Sequence, residues 1–319
     1  MAKIFQKKEK YPRWFTVAPD IWGMKDIFVN IFMIYNRVEN KWVLIDTGIP
    51  STAKKIRVMA EYLFGSEVST PSAIVLTHGH FDHIGSLIEL VREWQIPIYA
   101  HHLEAPYLTG KSSYPPPDPF AGGGIMTLMS WLFPKGPINV SGFLRPLPDD
   151  GSVPGLPEWK NIHTPGHAPG HISLFRPKDK VLISGDAIVT TKQESAISVM
   201  QQRKVLSGPP RYFTPDWQSA QESVKSLIAL EPTVLAAGHG IPMKGMMLKQ
   251  SLDYLLRNFR KIAVPKEGRY VDSPAKMNDK GVQYIPPFKI TKTVAESLIA
   301  VGAGISLGIL LTLMDKRKN

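Results

Sequence analysis

The sequence predicts a protein of the α/β class, and two observations support that prediction. Short apolar runs, typical of buried strands, alternate with longer helix-like stretches through the first third of the chain, and strand signals return after residue 170. With 43% hydrophobic and 20% charged residues, the composition is that of a globular protein. The length of 319 residues suffices for one large domain or two small ones, each with an apolar core.

The first predicted elements are a hairpin and a helix. Ile27 to Tyr35 and Trp42 to Asp46 are β-rich runs on either side of a polar turn at Glu39-Asn40. A helix is predicted from Thr52 to Phe64, with Ser51 or Thr52 as its N-cap. The pattern continues with a strand at Ala73–Leu76, a helix over 84–94 and a strand at Ile96–Ala100.

Residues 107–157 interrupt this alternation. They contain the proline-rich stretch 114–119, three glycines at 122–124 and an apolar stretch from Ile125 to Phe133. Long irregular segments inside compact domains are often functional. We expect an insertion or lid with a short apolar helix, which either packs on the core or forms a flap over a pocket.

The second half repeats the strand and helix signals. Thr214-Pro215 precedes one helix, where proline suits the first turn. The predicted elements are strands at Ile172–Phe175, Val181–Ser184 and Val234–Ala237, and helices at Asp216–Leu230 and Met246–Ile262.

Charge and cysteine content narrow the function classes. The chain has no cysteine, which excludes disulfides, thiolate ligands and cysteine nucleophiles. The net charge of +11 lies largely at the chain ends and in the segment 249–266, without the interleaved aromatic residues of a nucleic-acid module. Nucleic acid is therefore not an expected partner.

The predicted domain organisation has three parts. Residues 1–265 form the main domain, 266–293 a linker, and 294–314 an apolar segment that is expected to be helical. Leu298 to Met314 lacks charged residues and includes a GxxxG spacing. This segment is either a membrane anchor or a buried terminal helix at a homodimer interface. Residues 1–20 contain no secretory signal, so the main domain is expected in the cytoplasm.

The strongest chemical signal is the sequence from Thr77 to His83, which reads THGHFDH. It follows the predicted strand Ala73–Leu76, so it presents His78, His80, Asp82 and His83 from the end of a rigid element. Four such side chains in six residues would be costly in a core without partners. This spacing therefore predicts metal ligation.

Other candidate ligands also follow or flank predicted strands. His167 and His171 lie in a turn rich in glycine and proline, Asp186 follows the strand at 181–184, and His239 follows the strand at 234–237. Each signal is weak alone. Together, and in this order, they predict one site at an edge of the sheets.

The combined pattern resembles the metallo-β-lactamase superfamily, over about residues 15–245. The matching features are the HxHxDH motif, the later histidine, aspartate and histidine, and the Asp46-Thr47-Gly48 turn. The resemblance implies a four-layer αββα sandwich. It further implies one metal bound by His78, His80 and His167, a second by Asp82, His83 and His239, and a bridge through Asp186.

In such a site Asp46 would orient ligands, and His171 would form hydrogen bonds rather than bind metal. The nitrogen and oxygen donors suit two zinc ions, with iron or manganese as alternatives. The expected chemistry is hydrolysis by a metal-bridging hydroxide, with Asp82 accepting a proton from it or orienting it. Tyr114, Tyr212 and Lys244 are candidate substrate contacts.

The expected substrate is a small ester, thioester or lactone with an apolar portion, as in the glyoxalase II and acyl-homoserine lactonase branch. β-Lactam hydrolysis is not expected, because β-lactamases of this fold generally lack the bridging aspartate. A phosphodiesterase and a mononuclear iron enzyme similar to persulfide dioxygenases remain as alternatives. A binding protein with a structural metal is a fourth possibility, although structural zinc sites usually hold one ion with four ligands.

Overall fold

The computed structural model describes residues 14–201 and 203–288. Its strands are β1 (Trp14–Ala18), β2 (Ile21–Asp26), β3 (Val29–Asn36), β4 (Lys41–Ile45), β5 (Ala73–Val75), β6 (Ile98–Ala100), β7 (Leu144–Pro146), β8 (Lys160–His163), β9 (Ile172–Arg176), β10 (Val181–Ile183), β11 (Val234–Ala236), β12 (Met243–Lys244), β13 (Lys276–Asn278) and β14 (Gly281–Tyr284). Its α-helices are α1 (Ala53–Phe64), α2 (Phe81–Ile84), α3 (Leu87–Trp94), α4 (Ala105–Leu108), α5 (Ile125–Leu128), α6 (Ala196–Gln201), α7 (Trp217–Ala229) and α8 (Gly245–Ile262).

The strands form two mixed sheets and a separate hairpin. The first sheet has the order β1-β2-β3-β4-β5-β6-β7, and the second has the order β12-β11-β10-β9-β8. Strands β1 to β4 pair antiparallel, whereas β4 to β7 run parallel. In the second sheet only β10 and β11 are parallel among the described pairs. The remaining pair, β13 and β14, forms the hairpin.

The side chains of β3 point alternately to the two faces of the first sheet, and both faces are buried. Ile31 and Met33 pack in a cluster with residues of α1 and α3, whereas Phe32 and Ile34 pack in a cluster with the second sheet. Successive side chains of a strand point to opposite faces, so an uninterrupted apolar run fills two layers at once.

The second sheet is covered in the same way. Ile172 and Ile183 face the first sheet, whereas Phe175 and Leu182 pack in a third cluster that includes residues of α7 and α8. The resulting layers are helices α1 and α3, the first sheet, the second sheet, and helices α7 and α8. The predicted α/β class and four-layer sandwich are confirmed.

The predicted helix over 84–94 is two helices. Helix α2 begins at Phe81, inside the histidine motif, and α3 begins at Leu87. Ser86 lies between them, and its hydroxyl donates to Ile49 O at 2.8 Å and accepts from Ala53 N at 3.1 Å. These tertiary hydrogen bonds replace helix continuation, which local periodicity does not reveal.

The segment 107–157 differs in part from the expected lid. Helix α5 and the turn after it, residues 125–133, are the part expected to form a flap and are called the flap here, whereas β7 pairs parallel with β6 and completes the first sheet. The sequence did not predict β1, β2, β7 or β8. Strand β7 has only three residues and includes a proline, which weakens any strand signal.

The C-terminal part differs from two predictions. The segment 266–293, expected as a linker, contains the β13–β14 hairpin, and Tyr270 and Ala275 pack in the cluster beneath α7 and α8. The prediction of a transmembrane helix is corrected: within residues 14–201 and 203–288 no helix is long and apolar enough to cross a membrane. The segment 294–314, to which that prediction referred, lies outside the described residues.

Candidate metal centre

The predicted ligands meet at one edge of the sandwich because several strand ends meet there. Strands β4 and β5 are parallel neighbours, and Asp46 and the motif beginning at Thr77 follow their carboxyl ends. Strands β10 and β11 are also parallel, and Asp186 and His239 follow them. The Ile172 amide donates to Thr77 O at 2.9 Å, which ties the two sheets together at this edge.

His78, His80 and His167 form a first group. One ligand nitrogen of each lies within 4.8 Å of the others. Nδ1 of His80 is 2.9 Å from Nε2 of His167. All three side chains are buried.

Asp82, His83 and His239 form a second group by the same distance criterion. Asp186 lies between the two groups. Its Oδ2 is 3.5 Å from His167 Nε2 and 3.0 Å from His239 Nε2, and its Oδ1 is 3.5 Å from His83 Nε2. The carboxylate of Asp186 therefore faces ligands of both groups.

Three atoms of this cluster show that the residues fit a bound cation. His78 Nε2, His83 Nε2 and Asp186 Oδ1 are buried without a hydrogen-bond partner in the described part of the chain. The same three residues form a third group of ligand atoms within 4.8 Å. A buried polar atom without a partner costs about 1–3 kcal/mol. Imidazole nitrogens and carboxylate oxygens are donors that suit zinc, iron or manganese.

Asp46 determines which nitrogens of His78 and His83 face the cluster. Its Oδ2 accepts from His83 Nδ1 at 2.8 Å and from the Thr77 hydroxyl at 2.7 Å. Because the Thr77 hydroxyl donates to Asp46, its oxygen can accept from His78 Nδ1 at 3.0 Å. Both imidazoles therefore direct the lone pair of Nε2 into the cluster.

Backbone and hydroxyl oxygens orient two further histidines. His239 Nδ1 donates to Phe28 O at 2.7 Å, which leaves Nε2 facing Asp82 and Asp186. Nδ1 of His167 lies 3.4 Å from Thr214 Oγ1, whose hydroxyl donates to Pro210 O. Each of these histidines thus directs Nε2, not Nδ1, toward the site.

The electrostatics of the first group favour neutral imidazoles. Burial is the largest cause and lowers the pKa of His80 to about 3; nearby imidazoles, above all His83, also lower it. Burial also holds the pKa of His78 and of His167 well below the ordinary value. Neutral imidazoles keep the lone pairs that a metal ion requires.

In the second group, neighbouring carboxylates change the pKa of the histidines. Burial by itself would lower the pKa of His83 and His239, but Asp186 and the other carboxylates raise both. Burial would raise the pKa of Asp186, but His239 and His83 hold it well below its usual range. Burial raises the pKa of Asp82. Asp186 is therefore held as an anion between the two groups.

The remaining histidines lie outside the three groups. His171 Nε2 accepts from the Asp186 amide at 2.9 Å, and its Nδ1 is 2.8 Å from Thr164 Oγ1, so both nitrogens have partners in the protein. His101 stacks on His163, with ring centroids 4.0 Å apart. His102 is an exposed neighbour of His101. Hydrogen bonding by His171 agrees with the role expected for it.

A small pocket with largely aromatic walls lies over the cluster. Besides five candidate ligands, its lining consists of Phe28, Phe81, Met126, Phe133, Pro210, Tyr212 and Phe213. Met126 and Phe133 belong to the flap. Its other large side chains point outward, since Ile125, Leu128, Met129, Trp131 and Leu132 are 45–67% exposed. Most large apolar side chains of this segment therefore do not pack on the core.

Two of the three expected substrate contacts lie near the site. Tyr212 lines the apolar pocket, and Tyr114 packs against the His80 ring at 4.5 Å. Lys244 is exposed, and in the strand pairing of β12 with β11 it lies opposite Val234. Val234 is the first residue of β11, at the end of the strand away from His239. Lys244 is thus placed away from the pocket.

Sequence reasoning missed two buried polar residues that hold the site. Asn30 Nδ2 donates to Ala237 O at 2.9 Å and Gly240 O at 2.6 Å, on either side of His239. Glu104 is fully buried, which raises its pKa to about 7 although hydrogen bonds from Tyr114 and two amides lower it. The available signal for Asn30 was a single polar residue within an apolar strand.

Comparison with known proteins finds a family model that spans the candidate ligands. The family model of the Metallo-beta-lactamase superfamily matches residues 24–239. That range begins in β2 and ends at His239, so it includes every member of the three groups.

Relatives with similar sequences are named as hydrolases. The chain is 45% identical over 249 residues to "Probable metallo-hydrolase YflN" of Bacillus subtilis (strain 168), covering 78% of this chain and 94% of that protein. It is 29% identical over 197 residues to "Probable metallo-hydrolase YybB" of the same organism, covering 62% and 74%.

Among solved structures, BJP-1, a subclass B3 metallo-beta-lactamase of Bradyrhizobium japonicum, superimposes with a TM-score of 0.53. The match covers 80% of this chain and 95% of that chain, at 20% sequence identity. At this identity the likeness shows the fold alone.

Proposed function

Because the chain belongs to the metallo-beta-lactamase superfamily, we propose that it is a hydrolase holding two metal ions, preferably zinc, and acting on an ester, thioester or lactone. The observation that carries the proposal is the position of Asp186. One buried carboxylate faces ligands of two groups, His78–His80–His167 and Asp82–His83–His239. A single closed structural site would have no use for the second group.

The chain's own residues would prepare the reaction. Two bound metal ions lower the pKa of a bound water and polarise the substrate oxygen. Asp82 is buried, and its Oδ2 lies 3.5 Å from His239 Nε2. Asp82 also lines the pocket beside His80 and His239, so its carboxylate can reach a water that lies between substrate and metal. We assign it to orient the attacking water or accept its proton.

The pocket lining favours a carbonyl centre over a phosphodiester. Aromatic side chains and Met126 form its walls, and no lysine or arginine lines it among the described residues. Phosphate recognition generally uses cationic side chains. The nearby Arg211 donates to Ala263 O and Ile262 O and is thereby held away from the pocket. An uncharged substrate with an apolar portion suits these walls.

Metal content and a substrate panel test the proposal. Protein purified without added metal is analysed for metals per chain and assayed on an ester, a thioester, a lactone and a phosphodiester. We expect about two zinc ions and hydrolysis of one carbonyl substrate class. The variant His102→Ala is the matched control, because it removes an exposed histidine outside the cluster and should change neither result.

Two outcomes would overturn the proposal. Hydrolysis of the phosphodiester alone would make the protein a phosphodiesterase. One iron ion per chain, with oxygen uptake and no hydrolysis, would indicate an enzyme similar to persulfide dioxygenases. Two iron or two manganese ions with ester hydrolysis would keep the mechanism and correct only the metal.

A further inference from the structure

Glu104 is a fully buried carboxylate that the proposed chemistry does not use. It ends the short turn His102–Glu104 after β6. Its partners in the described part of the chain are one hydroxyl and two backbone amides, not a cation. Burying a carboxylate without a cation is costly, and its hydrogen bonds must offset that cost.

The hydrogen bonds of Glu104 join the two loops that carry the first histidine group. Oε2 accepts from the Gly79 amide at 2.9 Å, and Oε1 accepts from the Gly170 amide at 2.7 Å. Gly79 lies between His78 and His80, and Gly170 lies three residues after His167. One side chain therefore bridges the loop of His78 and His80 to the loop of His167.

Tyr114 completes this bridge. Its hydroxyl donates to Glu104 Oε2 and accepts from the Gly79 amide at 2.9 Å. Its ring packs against His80 at 4.5 Å and stacks on Tyr107 at 3.9 Å. Tyr114 thus fixes both the carboxylate and one face of a candidate ligand.

Both glycines are required by the close approach of the bridge. A Cβ at Gly79 would lie 2.7 Å from the Tyr114 hydroxyl oxygen. A Cβ at Gly170 would lie 2.8 Å from Glu104 Cγ and 2.9 Å from Glu104 Oε1. Neither backbone could come this near to Glu104 and Tyr114 with a larger residue in place.

We propose that Glu104, supported by Tyr114, is a positioning residue that sets the spacing between the His78–His80 loop and the His167 loop and thereby the metal affinity of the first group. This inference rests on the proposed metal binding. Glu104 has no exposed surface and acts through the loops, not on substrate. Outer partners of metal ligands typically contribute 10- to 100-fold to metal affinity.

Glu104→Gln tests the role with little change of shape. The glutamine oxygen can accept from one loop only, and its NH₂ group faces an N–H or O–H donor on the other side. In titrations of the apoprotein with Co²⁺ we expect one of two equivalents to bind about 10- to 100-fold more weakly. The visible absorption of that bound cobalt should also change.

Asp118→Asn is the matched control. Asp118 is also buried and also bridges two amides, those of Phe120 at 3.0 Å and Arg269 at 2.6 Å, but neither belongs to a histidine loop. This variant should lose stability and keep the cobalt affinity and spectrum of the wild type. Tyr114→Phe should weaken cobalt binding in the same direction as Glu104→Gln, and it carries the test if Glu104→Gln does not fold.

Wild-type cobalt affinity and spectrum in both Glu104→Gln and Tyr114→Phe would overturn the positioning role, whatever their stability. Failure of the wild-type apoprotein to bind Co²⁺ would instead overturn the proposed function. The two failures are therefore distinguishable in one titration series.

Discussion

At the residue scale, two buried aspartates have different roles. Asp46 accepts from Nδ1 of His83 and, through Thr77, holds His78, so it orients histidines from outside the cluster. Asp186 lies inside, facing Nε2 of His167 in the first group and Nε2 of His239 in the second. Asp46 fixes the tautomers of His78 and His83, and Asp186 supplies negative charge inside the cluster. Only Asp186 is therefore expected to contact metal.

Asp186→Asn should abolish metal binding by the second group and lower the hydrolysis rate at least about 100-fold. A neutral amide neither compensates two cations nor holds His83 and His239 in place. Metal analysis and steady-state rates measure the effect. Asp216→Asn is the control, because Asp216 caps α7 from the surface and asparagine caps equally well. Retention of two ions and full rate in Asp186→Asn would contradict the bridging role.

The His101–His163 pair predicts a dependence of stability on pH. Burial, followed by His163 and His102, lowers the pKa of His101 to about 4 from 6.5. Between these pH values the unfolded chain binds a proton that the folded chain does not, so this stability is present above pH 6.5 and is lost as pH falls. Because His101 is partly exposed, the loss should not exceed about 1 kcal/mol.

His101→Asn should remove the His101 contribution and so reduce the slope of stability against pH. Asparagine keeps the acceptor that caps the following turn at Leu103 N but does not titrate. The free energy of unfolding in urea, measured at pH 7 and pH 5, gives the slope. His102→Asn is the control and should retain most of the slope. Equal slopes in wild type and His101→Asn would refute the assignment.

At the element scale, the flap over residues 125–133 has two different faces. Met126 and Phe133 line the pocket, whereas Trp131 is 67% exposed. The Phe133 ring lies 5.2 Å from the Phe81 ring and 6.1 Å from the Phe213 ring. The inner face therefore extends the aromatic wall over the candidate metal centre.

Phe133→Ala should raise KM for an ester with a long acyl chain by about 10-fold, because lost apolar contact of this size costs roughly 1–2 kcal/mol. For an acetyl ester the change should be smaller. Trp131→Ala on the outer face is the matched control. It should change the KM for neither the long-chain ester nor the acetyl ester by more than about two-fold. A parallel loss with both esters would instead indicate damage to the metal centre.

At the scale of the whole molecule, the candidate centre joins two halves. The motif His78 to His83 follows a strand of the first sheet. His167, Asp186 and His239 lie in loops next to strands of the second sheet. Asn30 adds a direct link between the sheets, because its backbone amide donates to Gly238 O at 2.7 Å. Metal binding is therefore expected to stabilise packing between the sheets.

Chelation should lower the unfolding temperature. A free metal concentration of 100 times the Kd stabilises the folded state by about 2.7 kcal/mol, which corresponds to about 4 °C for a protein of this size. Calorimetry with chelator, followed by return of zinc, measures the shift. The Asp186→Asn variant should show a smaller one. Equal unfolding temperatures with and without metal would contradict a centre shared by both sheets.

The sequence alone predicted the fold class, the order of most central elements and a set of candidate ligands that lie close together in the structure. Apolar runs such as Ile31–Ile34 must be buried on both faces, and the spacing from His78 to His83 has little use outside metal binding. Both signals are local, since each depends on residues close together in the chain. Short edge strands such as β7 depend on a neighbour instead and were missed.

Only the tertiary structure decided how the site is held. Glu104 and Gly170 are 66 residues apart in sequence, and Asn30 and Ala237 are 207 apart, yet each pair forms a hydrogen bond. No sequence period relates such partners, because strand pairing and sheet packing bring them together. Which histidine nitrogen faces the cluster, and which face of the flap faces the pocket, were likewise decided by three-dimensional contacts rather than by residue type.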